Sequence, residues 1–213
     1  PMIYEVRTYD IKPRSLPEVE KRFGEMYEKR RKYSELAAFW HTEIGPLNQI
    51  LHVWGYKDLE ERARIREAAV KDKAWPPNIG EFIVKQQSDI MIPLAISPPL
   101  KPGKMGPYFE MRTYTYAPGE LPTMIKNWEN AIDVRLQFGP VCAILYSELG
   151  ALSKFVHIWP YRSLDQRADI RKKSHDTGMW PSSVKAVKEG GRAEVLLAQE
   201  NKILMPSAFS PLQ

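Results

Sequence analysis

The sequence predicts an α+β fold in which two β-α-β-β-α-β units, carried in tandem on one chain, pack sheet to sheet. Three observations carry that prediction. Sliding the 213-residue chain by 105 positions aligns residues 3–76 with 108–181 without a gap, and 23 of those 74 positions are identical. Within each copy the apolar spacing switches between the period of two of a strand and the three-and-four spacing of a helix. Between the copies stands "SPPLKPGKMGP", residues 97–107, with four prolines and two glycines. It reads as a linker, so the repeats are placed at 1–96 and 107–213 with 97–106 between them.

The elements follow in order. "MIYEVRTYDI" is a short β-rich run. From Leu16 to Tyr33, apolar residues recur at helical spacing, and Ser15 with Glu18 makes a candidate capping box ahead of them. Two strands then flank the turn residues Gly45-Pro46-Leu47-Asn48. A second helix follows Tyr56, with Asp58 as N-cap and Glu61 three residues on, or Ser163 and Gln166 in the second copy. A final strand is expected near 81–95 and again near 193–206. After Trp75-Pro76 and Trp180-Pro181 the register changes, because "IMIPLAISPP" at 90–99 matches "ILMPSAFSPL" at 203–212 with an offset of 113. The extra residues of the second copy are assigned to a turn around "VKEGGR". This order is the ferredoxin-like split βαβ arrangement.

A four-stranded sheet with both helices on one face leaves its other face bare, and a second copy in the same chain is the obvious cover. Alternation places Tyr4, Val6 and Thr8 on one face of the first strand and Glu5, Arg7 and Tyr9 on the other. On the third strand Leu51 and Val53 oppose His52, Trp54 and Tyr56. The apolar set is expected to face the helices. The set that both copies keep, Glu5, Arg7, Tyr9, His52, Trp54 and Tyr56 with Glu110, Arg112, Tyr114, His157, Trp159 and Tyr161, is then expected to line the space between the sheets.

Composition excludes several function classes. No apolar run approaches the ~18 residues that span a bilayer, and no secretory leader pattern opens the sequence, so no membrane partner is expected. The single Cys142 fits a reducing compartment such as the cytoplasm. The net charge of +5 comes from 31 basic residues interleaved with 26 acids, a solvated surface rather than a nucleic-acid footprint. The histidines His41, His52, His157 and His175 show no ligand spacing, and neither CxxC nor HExxH occurs; no metal and no cofactor are expected. A free amine on Pro1 could serve as a base, although processing or a cloning remnant explains it more cheaply.

The "YEVRTY" and "FEMRTY" openings, "HVWGYKDLEERARIR" with "HIWPYRSLDQRADIR", and the later Trp-Pro pairs together resemble the NIPSNAP family over essentially the whole chain. The resemblance implies the dimeric α/β-barrel fold of ferredoxin-like units, here intramolecular. It also implies a wider superfamily that includes haem proteins with an axial histidine and cofactor-free oxygenases acting on aromatic substrates. Mitochondrial members are linked to vesicle traffic and organelle quality control and carry a long N-terminal extension; a chain opening at its first strand is expected to be a soluble cytoplasmic member.

The candidate site follows from the doubled residues. His52 and His157 are the candidate catalytic groups, since an imidazole titrates near neutral pH. The alternative is a histidine that only satisfies a neighbouring strand. Arg7 and Arg112 offer planar donor forks for a carboxylate or phenolate, or else only neutralise Glu5, Glu110, Glu43 or Glu148. Tyr9, Trp54, Tyr56, Tyr114, Trp159 and Tyr161 would shape the pocket. Arg62 and Arg66, like Arg167 and Arg171, lie one helical turn apart and are assigned to bracing the second helix on the sheet, through acids such as Asp58. The function expected is binding of a small aromatic or carboxylate-bearing molecule, with acid-base or cofactor-free oxygenase-type chemistry. The competing reading is a non-catalytic interaction protein, and a homo-oligomer is left open.

Overall fold

The structure is a computed structural model that describes residues 2–213; Pro1, and with it the question of its amine, lies outside the described residues. The first repeat runs β1 (Ile3–Ile11), α1 (Leu16–Arg30), β2 (Leu36–Ile44), β3 (Gln49–Tyr56), α2 (Leu59–Lys71) and β4 (Ile83–Pro93). The second runs β5 (Tyr108–Tyr116), α3 (Leu121–Leu136), β6 (Ala143–Leu149), β7 (Lys154–Tyr161), α4 (Leu164–Asp176), α5 (Ser182–Lys188) and β8 (Leu196–Pro206). The eight strands close into one barrel in the order β1-β3-β2-β8-β5-β7-β6-β4. Every pairing is antiparallel, and the two repeats are stitched at the seams β2–β8 and β4–β6. Residues 94–107 connect the repeats without a named helix or strand.

Local chemistry explains most boundaries. Asp58 accepts from the Glu61 amide at 2.8 Å while the Glu61 carboxylate accepts from the Lys57 amide at 2.7 Å, a reciprocal cap for α2. Ser163 and Gln166 repeat it for α4, at 3.0 and 2.7 Å. The corresponding expectation for α1 fails. Ser15 makes no side-chain cap, and its hydroxyl instead donates to the Lys12 carbonyl at 2.6 Å, with Pro17 fixing the first helical turn. The extra residues of the second repeat are more than a turn, since they include the short helix α5.

The barrel reverses the expected facing of the strands. Tyr4, Val6, Leu51 and Val53 meet Phe109, Met111, Val156 and Ile158 in a core drawn from both repeats, which is the barrel interior. Tyr9, Trp54 and Tyr56 instead pack with Val19, Phe23 and Tyr27 under the helices of repeat 1, as Trp159 and Tyr161 do with Met124, Trp128 and Ile132 in repeat 2. The candidate set Glu5, Arg7, Tyr9, His52, Trp54, Tyr56 and their partners therefore lies between sheet and helices, outside the barrel. The reason is physical. A small eight-stranded barrel is filled by side chains from all round, which suits the aliphatic set. Helices α2 and α4 carry arginines on their inner faces, and those cations need the carboxylates on the sheet beneath them.

Candidate functional site between sheet and helices

Glu5 sits on β1 opposite Trp54, and Arg7 opposite His52; Glu110 and Arg112 repeat this against Trp159 and His157. Both glutamates are fully buried. Glu5 Oε2 accepts from Arg62 at 2.6 Å, Arg7 at 2.9 Å and Ser88 at 2.6 Å. Glu110 Oε2 accepts from Arg167 at 2.6 and 2.9 Å, Asn201 at 2.8 Å and Arg112 at 3.3 Å. Burial alone would raise these pKa values. The hydrogen bonds from Arg62 and Ser88 and the nearby guanidinium charges outweigh it and bring Glu5 down to about 2, and Glu110 is lowered in the same way by Arg167, Asn201 and Arg112. Arg62 and Arg167 thus do brace their helices to the sheet, but through Glu5 and Glu110 rather than Asp58. Arg7 and Arg112 also donate from Nε to Tyr9 and Tyr114, at 2.8 and 2.9 Å.

The histidines are locked by their tryptophans. Trp54 Nε1 donates to His52 Nδ1 at 2.8 Å, and Trp159 Nε1 to His157 Nδ1 at 2.6 Å. An indole nitrogen only donates, so each Nδ1 is unprotonated and the neutral ring carries its hydrogen on Nε2. Both Nε2 atoms are buried and have no partner. Burial, first of all, and then the charges of Arg112, Arg171 and Arg135 hold the His157 pKa well below the usual imidazole value. For His52 burial again leads, with Arg7, Arg66 and Arg30 acting against the cation and Glu5 partly for it. His157 stands in a box of rings, with Tyr114 edge-on at 4.7 Å and Trp128 at 4.7 Å between centroids.

Sequence reasoning missed Arg30 and Arg135. Each rises from the first helix of its repeat, is nearly fully buried, and stacks over the tryptophan of β3 or β7, Arg30 at 4.5 Å from Trp54 and Arg135 at 4.1 Å from Trp159. Their Nη2 atoms donate to Tyr56 and Tyr161 at 3.0 and 3.1 Å. The available signal was their identity under the 105-residue shift, an arginine at an inward helical position in both copies.

A cavity of about 290 Å³ opens at this site in repeat 2. All five candidates of that repeat line it, Arg112, Tyr114, His157, Trp159 and Tyr161, joined by Arg135, Arg171, His175, Trp128 and Trp180. Repeat 1 has a counterpart of about 530 Å³, lined by Arg7, Tyr9, Phe23, Arg66 and Trp75, but His52, Trp54 and Tyr56 do not reach its wall. The two differ in charge. Arg66 lies 3.8 Å from Glu5 Oε1, whereas Arg171 has no carboxylate within salt-bridge distance among the described residues. Val70 in the first cavity is replaced by His175 in the second. No cluster of three or more His, Cys, Asp or Glu suited to a metal occurs among the described residues. No helix among them is long and apolar enough to cross a membrane.

A sequence model of the NIPSNAP family matches residues 4–98 and 109–211, that is, each repeat in turn. The human protein NipSnap homolog 3A is 32% identical over 220 residues, an alignment covering 100% of this chain and 86% of that protein. The chain belongs to the NIPSNAP family. Among solved structures, a putative monooxygenase from Fusobacterium nucleatum superposes with a TM-score of 0.67 at 12% identity, covering 97% of this chain and 92% of the other. A putative monooxygenase from Lactobacillus acidophilus gives 0.61 at 9% identity, covering 97% and 94%. At such identities the likeness is one of fold, and it identifies the NIPSNAP pair of repeats as a dimeric α/β barrel closed within a single chain.

Proposed function

We propose that the second repeat binds a small molecule with an aromatic body and a carboxylate or phenolate, in the cavity between its sheet and helices α3 and α4. The observation that carries this reading is Arg171, a guanidinium on the cavity wall with no carboxylate of its own, beside Arg112 and Arg135. An anionic group held there would receive planar donor forks. Tyr114, Trp128 and Trp180 would stack on its body. His157 enters as a donor. With Nδ1 occupied by Trp159, any acid-base or oxygenase-type step would use the Nε2 hydrogen, polarising an oxygen of the bound molecule before any proton moves.

The test is titration of the intact protein with benzoate, phenylacetate and indole-3-acetate, followed by tryptophan fluorescence and thermal shift. Binding is expected, with Arg171→Gln weakening it by roughly tenfold to a hundredfold, the worth of one charge-assisted hydrogen bond. Equal response of Arg171→Gln and the parent protein, or no response from either, would refute the reading.

A further inference from the structure

A third cavity, of about 400 Å³, opens at one mouth of the barrel, on the opposite side of the sheet from the site above. Its floor is aliphatic, formed by Val6, Leu51, Met91, Met111 and Val156. Its rim is charged in a way the internal repeat makes unusual. Under the offset of 113 that relates β4 to β8, Asp89 and Lys202 occupy the same position of the two repeats. Asp89 pairs in register with Val6, and Lys202 with Met111, so both point inward in one layer from opposite sides of the barrel. One wall therefore carries a carboxylate where the other carries an ammonium. In a symmetric barrel the two would be alike.

No salt bridge joins these two charges to each other or to a neighbour. Among the described residues no ion pair within 4.0 Å involves Asp89, Lys202, Glu200 or Lys154. Asp89 is 8% exposed and accepts only from Gln87 Nε2, at 2.8 Å. Lys202 Nζ donates to the Gln49 side-chain oxygen at 2.9 Å. Burial lowers the Lys202 pKa, with Glu200 and Asp10 acting in the other direction. The turn glycines make room for both: an added Cβ at Gly150 would strike the Asp89 carboxylate, and one at Gly45 would stand 2.9 Å from Lys202 Cβ. Both glycines hold positive φ, +111° and +122°.

We propose that the barrel mouth is a second ligand site, selective for a linear zwitterion whose charges lie at opposite ends, an ω-amino acid being the simplest case. The ammonium end meets Asp89, the carboxylate end meets Lys202, and the methylene chain lies along the aliphatic floor. A molecule with only one charge leaves the opposite charged group without a counter-charge, which is the basis of the selectivity. An α-amino acid, with its ammonium and carboxylate on one carbon, cannot reach both walls.

Calorimetric titration of the full chain with 6-aminohexanoate, hexanoate, hexylamine and leucine decides the matter. Expected is binding of 6-aminohexanoate at least about tenfold tighter than of the other three. Lys202→Met and Asp89→Asn should each abolish that preference, while Arg171→Gln, on the far side of the sheet, should leave it intact. The last variant separates this proposal from the aryl-carboxylate site, since either can fail alone. Should a variant not fold, the four ligands on the unaltered protein suffice. No binding of 6-aminohexanoate, or equal binding of hexanoate, hexylamine or leucine, overturns the proposal.

Discussion

Glu5 and Glu110 hold the joint between helix and sheet in each repeat, and each gathers at least two guanidinium groups on one buried oxygen. Removing the charge leaves those cations facing an amide. Glu110→Gln is expected to cost about 3–5 kcal/mol in urea unfolding. The same geometry sets an acid limit. A carboxyl near 4.5 when unfolded and about 2 when folded contributes fully above its unfolded value and loses that contribution as pH falls toward 2. For Glu5 alone this amounts to about 3 kcal/mol. His52 and His157 act earlier. Their folded pKa values are depressed, so their contribution is complete above about 6.5 and declines as pH falls below it. Melting temperature should therefore start to drop just below pH 6.5. The pair His52→Gln and His157→Gln, which keeps an acceptor for each indole, should delay that drop to the carboxylate range; an unchanged profile would show that the histidines are not its source. These residues were legible in the sequence because both copies spell them identically. Arg30 and Arg135 were spelled identically too, yet a lone arginine among apolar helical positions reads as part of a core face until its tryptophan is seen beneath it.

The order of strands and helices, apart from the short α5, was readable from period and turn chemistry, and the facing of the strands was not. Alternation sorts a strand into two sets without saying which set looks inward. Both faces of β3 and β7 are buried, one by the barrel and one by helices, so no polar set marks a solvent side. The arginines at one-turn spacing on the inner faces of α2 and α4, Arg62 with Arg66 and Arg167 with Arg171, were the clue that polar strand residues belong beneath them. Caps show the same limit on a smaller scale. Asp58 and Ser163 cap as their spacing predicts, whereas Ser15 turns back to Lys12, since Pro17 already fixes the start of α1. Ser163→Ala should thus cost about 1 kcal/mol of stability, readable as a shifted urea midpoint with unchanged slope.

At the scale of the molecule the repeats share one interior. Phe109 of the second repeat packs 5.4 Å from Trp40 of the first, and the aliphatic core runs through both. Phe109→Ala is expected to cost about 3–5 kcal/mol and to destabilise both halves together. Urea unfolding followed by tryptophan fluorescence and by far-ultraviolet circular dichroism should give superposable single transitions. Two separated transitions would mean that each sheet keeps its own stability.

Closure within one chain has a further effect on how such a barrel can vary. In a barrel assembled from two identical subunits every substitution is made twice, so a change that sharpens one cavity necessarily alters the other and any charge added to one wall appears on both. Here each position is written once. Val70 stands against His175, an engaged Arg66 against an unengaged Arg171, and Asp89 against Lys202, and none of these asymmetries is diluted by subunits exchanging partners. The covalent connection gives fixed one-to-one stoichiometry, and with it two walls that can be tuned independently.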